Sequence, residues 1–322
     1  MPGWLRENDC VTPRPDSRSL DLGRQLQEAQ SALLAHYAPT VRVRRVRWSH
    51  GETQVLELGE GPPVLLVHGG GDTALVWAPI LTSLARTHRV FAVDRPGHGL
   101  ATPFDYHGID LLEHARTFLA EVLDALETDT AAIVANSMGA LWSFEFAHAA
   151  PHRVSRFVIA GAPPGVIRSA PLPIRLVSLP GLGWAVGKRS MANATRADSR
   201  KFWADLLVAH PERLDHLLLD ADAAHTRRNY RDIIGLLGNA LNARGVRPHL
   251  ILADQWRNLS VPTMFISGEN DPFMSTKRKK AWATLAAQNP SIRIVWIPDA
   301  GHLAWVDEPQ HTVREIQEFL AG

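Results

Sequence analysis

The sequence predicts an α/β protein built on a mostly parallel, doubly wound sheet with a helical segment inserted into it. Three observations carry this. Short apolar runs at 64–67, 89–93, 130–134, 154–160 and 263–266 read as buried strands. From residue 64 onward such runs alternate with helical patterns, which is the signature of parallel strands joined by crossover helices. Between 164 and 249 that alternation stops, helical segments follow one another, and no strand is legible. The expected organisation is an N-terminal arm and helix over 1–40, a first core part over 41–163, a helical cap over 164–249 and a second core part over 250–322, with the cap inserted after the sixth strand.

Taken in order, residues 1–16 read as a loosely held arm with Cys10. A helix is expected over 17–36, with Ser17 at its N-cap and an apolar stripe through Leu26, Leu33 and Leu34. Residues 41–48 alternate apolar and basic side chains, so their arginines read as the solvated face of a strand. A second strand spans 53–58. The run 64–67 ends in His68-Gly69-Gly70-Gly71-Asp72, where glycines let backbone N–H groups approach a ligand closely. A helix over 76–86 and a strand over 89–93 lead into Asp94-Arg95-Pro96-Gly97-His98-Gly99, a tight turn in which Asp94 is read as bonding local backbone. A helix over 110–126 precedes the strand 130–134, which leads into Ala135-Asn136-Ser137.

Ser137 stands between that strand and a helix, with small residues two positions away on each side, Ala135 and Gly139. A sharp strand–turn–helix of this kind lifts a serine hydroxyl clear of the backbone. Within the insertion, helices are expected over 174–179, 200–208, 213–223 and 230–241. The apolar stretch 179–187 is read as a lid over a pocket, with lipid contact as the alternative. It is not a phosphate loop, because Leu182 and Arg189 stand where that pattern needs Gly and Ser or Thr. The sheet resumes at 263–266 and ends at Asp271-Pro272. A helix follows over 276–287, whose basic run 277–280 is read as an exposed face. The last strand, 292–296, leads to Gly301-His302 and a closing helix over 309–320.

Ser137, Asp271 and His302 each follow a strand. In a parallel sheet the C-terminal strand ends share one edge, so residues far apart in sequence meet there. Serine needs a base to become a nucleophile, histidine titrates near neutrality, and a carboxylate fixes the imidazole tautomer and stabilises its cation. The expected oxyanion donors are the backbone N–H of Met138 and one from Gly69 or Gly70. Trp77, Trp142, Trp184, Trp203 and Leu303 are candidates for lining a pocket, and each also fits a core role.

Five stretches together resemble the α/β-hydrolase superfamily from about residue 41 to 322: His68-Gly69-Gly70-Gly71, Asp94-Arg95-Pro96-Gly97-His98-Gly99, Asn136-Ser137-Met138-Gly139, Gly268-Glu269-Asn270-Asp271 and Gly301-His302. The resemblance implies the α/β-hydrolase fold and a serine hydrolase with a cap domain. The Asn-Ser-Met-Gly form is similar to that of carbon–carbon bond hydrolases acting on ring-cleavage products. Those enzymes usually carry Trp after the histidine, where Leu303 stands here, and a cap arginine for a substrate carboxylate. Arg168, Arg175, Arg189 and Arg196 are the candidates for that arginine. The expected function is a serine hydrolase acting on a small, largely apolar ester-like or ketone substrate. The alternatives are a carbon–carbon bond hydrolase, a non-hydrolytic acyltransferase or lyase, or a ligand receptor on the same fold.

Composition narrows the partners. The net charge of +1 over 322 residues gives no reason to expect nucleic acid. A single cysteine forms no internal disulfide. No signal-peptide pattern and no apolar stretch of membrane-spanning length is legible, so the expectation is a cytoplasmic protein without stable membrane insertion. No metal-ligand spacing occurs among the fifteen histidines, and neither metal nor cofactor is expected. Self-association is left open.

Overall fold

The computed structural model describes residues 17–322, so the expected arm and Cys10 lie outside the described residues. The elements run α1 (Ser17–Tyr37), β1 (Arg42–Trp48), β2 (Gly51–Leu58), β3 (Pro63–Val67), α2 (Ala78–Leu84), β4 (Arg89–Val93), α3 (Leu111–Ala125), β5 (Ala131–Asn136), α4 (Met138–Ala149) and β6 (Val154–Ala160). The insertion holds α5 (Leu172–Val177), α6 (Leu182–Ser190), α7 (Arg196–Leu206), α8 (His216–Ala240) and a hairpin of two-residue strands, β7 (Leu241–Asn242) and β8 (Gly245–Val246). Then come α9 (Ala253–Arg257), β9 (Thr263–Gly268), α10 (Thr276–Gln288), β10 (Ile292–Ile297), α11 (Ala304–Asp307) and α12 (Pro309–Ala321).

Eight strands form one sheet in the order β1-β2-β4-β3-β5-β6-β9-β10. The β1–β2 and β2–β4 pairs are antiparallel, and every pair from β4 to β10 is parallel. The central strands are buried throughout, as their unbroken apolar sequences require. Side chains alternate between two cores. One, under α3, α4 and α10, gathers Leu65, Phe91, Ile133, Phe157 and Phe265. The other, under α1, α2 and α12, gathers Leu66, Ala92, Val134, Val158 and Ile266. The basic face of β1 is solvated as expected, with Arg44 paired to Glu57 and Arg47 to Glu52 across the hairpin.

The insertion departs from expectation in three ways. The segments 213–223 and 230–241 are one continuous helix, α8, because nothing between them breaks the backbone ladder. Residues 182–190, where no helix was expected, form α6 with Gly183 and Gly187 inside it. Those two glycines lie one turn apart and let the helix sit close: a Cβ on Gly187 would meet Ile234 of α8, and one on Gly183 would meet the Val177 carbonyl. The β7–β8 hairpin, too short to show periodicity, went unseen. Elsewhere the basic run of α10 is not wholly exposed. Arg278 is buried and donates to the carbonyls of Phe273 (3.1 Å) and Ser169 (2.6 Å).

α8 anchors the insertion to the loops beyond β3 and β4. Asn229 Nδ2 donates to the Gly97 carbonyl (2.8 Å), Asp232 accepts from the Phe104 N–H (2.9 Å), and Asn239 Nδ2 donates to the Tyr106 and Ile109 carbonyls. The N-terminal helix braces the other side. Leu26 and Leu33 of α1 are fully buried, and Tyr37 Oη donates to Asp215 at 2.9 Å.

Candidate active site

The parallel strands end on one edge, and in register Val67 of β3 lies beside Ala135 of β5, Asn136 beside Ala160 of β6, and Ala160 beside Ile266 of β9. Ser137 follows β5 directly with φ 49° and ψ −115°, a left-handed strained conformation for a residue with a side chain. The turn is tight. A Cβ on Gly139 would strike the His68 carbonyl and lie 2.6 Å from that of Val67, so that position tolerates only glycine. Ala135 packs fully buried between β3 and β6, and its methyl fits there.

His302 and Asp271 meet on the same edge. The imidazole Nδ1 lies 2.9 Å from Asp271 Oδ2, which leaves Nε2 free for another partner. The ring sits over the end of β6, where a Cβ on Gly161 would come within 3.1 Å of His302 Cε1 and 3.0 Å of Asn136 Nδ2. The Asp271 side chain is wholly buried and fully engaged. Oδ2 also accepts from Ser267 Oγ (2.9 Å) and the Ala162 N–H (3.1 Å), and Oδ1 accepts from the Phe273 N–H (2.8 Å). Burial alone would raise its pKa. The charge of His302 and these hydrogen bonds outweigh burial and hold the carboxyl below its ordinary range.

Several groups that position this edge escaped the sequence reading. Asp307 accepts from the N–H groups of Gly301 (2.8 Å), Ala209 (2.9 Å) and His210 (3.0 Å) and ties down the loop that carries His302. Asp299 pairs with His210 Nε2 at 2.8 Å. Asp94 acts as expected, accepting from the Ala74 (2.8 Å) and Leu100 (3.0 Å) N–H groups.

The glycine loop after β3 is held by a buried polar cluster. His68 Nε2 accepts from the Arg95 N–H (2.8 Å), so its Nδ1 carries the proton and donates to the Gly69 carbonyl (2.9 Å). The Arg95 guanidinium donates to the same carbonyl and lies 4.8 Å over the Trp142 ring. His98 Nε2 faces the Gly70 carbonyl at 3.1 Å, and His225 Nε2 of α8 faces the Gly71 carbonyl at 3.1 Å. Burial drives His68 and His98 well below their ordinary pKa, brings His225 down to about 4 and lowers Arg95 to about 10.

The carbonyl and N–H of one planar trans peptide point opposite ways. With the Gly69 carbonyl turned into the Arg95–His68 cluster, the Gly70 N–H is turned outward. The His68 carbonyl points at Gly139, which turns the Gly69 N–H away from the elbow. Gly70 is also the glycine beside Met138, whose Cβ lies 3.5 Å from where a Gly70 Cβ would stand. His68, Arg95 and His98 belong to stretches already conspicuous in the sequence, but their part in orienting the loop was not legible. His225, on a featureless helix, gave no signal.

Asp72 sits just beyond this loop in a cavity of about 20 Å³ shared with Asp222, His225 and Trp203. Burial, reinforced by the charge of Asp222, raises its carboxyl to about 7.

Most of the candidate pocket residues lie elsewhere. Trp77 is fully buried and stacks on Trp305 at 4.3 Å, and Trp142 and Leu303 are fully buried in the two cores, so none of the three faces a cleft. Bulky apolar side chains near a site go to the core when a strand or helix turns them there. Trp184 does line a cleft of about 960 Å³ between α8, the 103–109 loop and the α5–α6 turn, together with Arg231, Arg247 and His249. The lining does not include Ser137, Asp271 or His302. Of the candidate cap arginines, Arg175 donates to the Ala243 carbonyl and Arg196 pairs with Asp220. Among the described residues no cluster of side chains has metal-binding geometry.

Residues 62–309 match the family model of the alpha/beta hydrolase fold. A 2-hydroxy-6-oxo-2,4-heptadienoate hydrolase of Pseudomonas putida is 42% identical over 115 residues, which is 34% of this chain and 41% of that protein. A pimeloyl-[acyl-carrier protein] methyl ester esterase of Legionella pneumophila is 24% identical over 268 residues, 81% of this chain and 96% of the esterase. Among solved structures, a carboxylesterase of Bacillus subtilis superposes with a TM-score of 0.75 at 18% identity, over 93% of this chain and 98% of that one.

Proposed function

The chain belongs to the alpha/beta hydrolase family and is a hydrolase, and from that premise we propose that it is a serine hydrolase of small, largely apolar esters, with Ser137 as nucleophile. The observation that carries this is the presence, at strand ends on one sheet edge, of a strained serine at a strand–helix turn and of a histidine whose Nδ1 is held by a buried carboxylate. Ser137 Oγ attacks the acyl carbon while His302 Nε2 takes its proton. Asp271 holds the tautomer and stabilises the imidazolium. The backbone N–H groups of Met138 and Gly70 receive the oxyanion, and loss of one such donor costs roughly 3–4 kcal/mol in other hydrolases. The tetrahedral intermediate expels the alcohol, which takes the proton from His302. Water, deprotonated by the same base, then releases the acid. The helical insertion serves as a cap over the edge. The substrate is a small molecule and no cofactor enters the reaction.

The test combines labelling by a fluorophosphonate with turnover of short aryl esters. Wild type is expected to label and turn over, and Ser137→Ala to do neither. Equal labelling of both proteins would refute the assignment.

A second reading, carbon–carbon bond cleavage of a dienone acid, draws on the local match to the heptadienoate hydrolase. On that reading product analysis finds a dienone acid cleaved faster than short neutral esters.

A further inference from the structure

The α5–α6 hairpin presents an inverted surface. A helix on the outside of a domain normally turns its apolar side chains inward. α6 instead packs inward through Gly183 and Gly187, and turns outward Leu182, Trp184 and Val186, which are 46%, 48% and 38% exposed. On α5, Leu172 and Leu176, one turn apart, are 59% and 42% exposed. Between residues 172 and 187 no exposed position carries a polar side chain. A contiguous exposed apolar patch of this kind marks a surface that something covers.

Charge identifies the occupant. From residue 146 to residue 197 the chain has no Asp or Glu, while Arg168, Arg175, Lys188, Arg189 and Arg196 fall in the insertion's share of that run. Lys188 and Arg189 follow the apolar turns of α6 directly and are exposed. The carboxylates of α8 nearest this region are engaged, Asp220 by Arg196 and Asp232 by the Phe104 N–H. Within the hairpin itself, apolar side chains followed by cations and by no carboxylate match the headgroup boundary of an anionic bilayer, while the exposed Asp105 stands on the opposite wall of the cleft.

We propose that the α5–α6 hairpin docks the protein peripherally on anionic lipid, with Leu182, Val186 and Leu172 entering the acyl boundary and Lys188 and Arg189 meeting the phosphates. No helix among the described residues is long and apolar enough to cross a membrane, so the contact is interfacial. Leu179, Pro180, Gly181 and Trp184 belong both to this hairpin and to the lip of the 960 Å³ cleft. Docking therefore turns the cleft mouth toward the lipid, where an amphiphilic molecule is most concentrated.

The experiment is co-sedimentation of the full chain with vesicles of phosphatidylcholine, alone or mixed with phosphatidylglycerol, at low and high salt. Binding is expected only with phosphatidylglycerol, is weakened by salt, and shifts Trp184 emission to the blue. Lys188→Glu/Arg189→Glu and Leu182→Ser/Val186→Ser are each expected to lower partitioning about tenfold or more, while the thermal unfolding midpoint stays at the wild-type value. That last readout also shows that the variants fold. Absence of binding to the mixed vesicles, or equal binding by both variants and wild type, overturns the proposal. So does a dimer of the wild-type chain that Leu182→Ser/Val186→Ser dissociates, since a second copy would then cover the patch. None of these outcomes depends on Ser137 being the nucleophile.

Discussion

At the scale of the residue, the strain at Ser137 is sustained by its neighbours. Gly139→Ala would push a methyl into the carbonyls of Val67 and His68, and it is expected to lower thermal stability sharply and abolish ester turnover. Ala135→Gly, which removes a buried methyl and permits the same turn, is expected to cost about 1 kcal/mol and leave turnover near wild type. Asp271→Asn retains the shape of the side chain but not its charge or acceptor pattern. A loss in kcat of up to about ten-thousandfold with little change in KM is expected, measured by steady-state kinetics. Asp72 gives a pH signature of its own. Its folded pKa, about 7, stands above its ordinary value of 3.8. The folded state therefore binds the proton more tightly, and Asp72's contribution to stability is complete below pH 4 and lost as pH rises to about 7. Asp72→Asn removes that loss, so its melting temperature is expected to gain on wild type between pH 5 and pH 8.

At the scale of the element, α8 joins the insertion to the glycine loop through His225, and this is where the geometry predicts coupling. His225→Ala frees the Gly71 carbonyl and is expected to lower kcat about tenfold to hundredfold at nearly constant KM. His225→Gln, which restores a donor at similar reach, is expected to recover part of it. A purely structural role for His225 would move the melting temperature without that split. The same elements show what the sequence could reveal. The sheet was legible because fully buried parallel strands leave unbroken apolar runs, and the residues at their ends followed from the topology. The positions of Ser137, Asp271 and His302 on one edge needed only strand order. α6 was not legible, because its two glycines serve close packing yet read as breakers. The support of the glycine loop was not legible either, because a histidine on α8 and an arginine in a turn carry no spacing signal and meet only through the tertiary fold. Trp77, Trp142 and Leu303 show the same limit, since proximity in sequence to a site does not say which side of the sheet a side chain takes.

At the scale of the whole molecule, the two cores hold a buried set of neutral histidines, which sets a direction for acid stability. His68, His98 and His225 all have folded pKa values below the ordinary 6.5, chiefly through burial. The unfolded chain binds the extra protons, so the histidines' contribution to stability is complete above about pH 6.5 and falls as pH drops toward 4, against the opposite trend of Asp72. In denaturant titrations wild type is therefore expected to lose unfolding midpoint relative to His225→Gln over that window, and parallel profiles of the two proteins would contradict the buried cluster. The cluster holds the glycine loop, and the proposed chemistry falls on the sheet edge that also carries the Asp271–His302 pair. The central claim is that Ser137 is the nucleophile of that surface. Its most direct measurement is mass spectrometry of the intact protein after exposure to a fluorophosphonate, followed by peptide mapping. One adduct on Ser137, absent from Ser137→Ala and slowed in Asp271→Asn, is the result predicted. An adduct on another residue, or an unmodified wild-type protein that still hydrolyses esters, would contradict it.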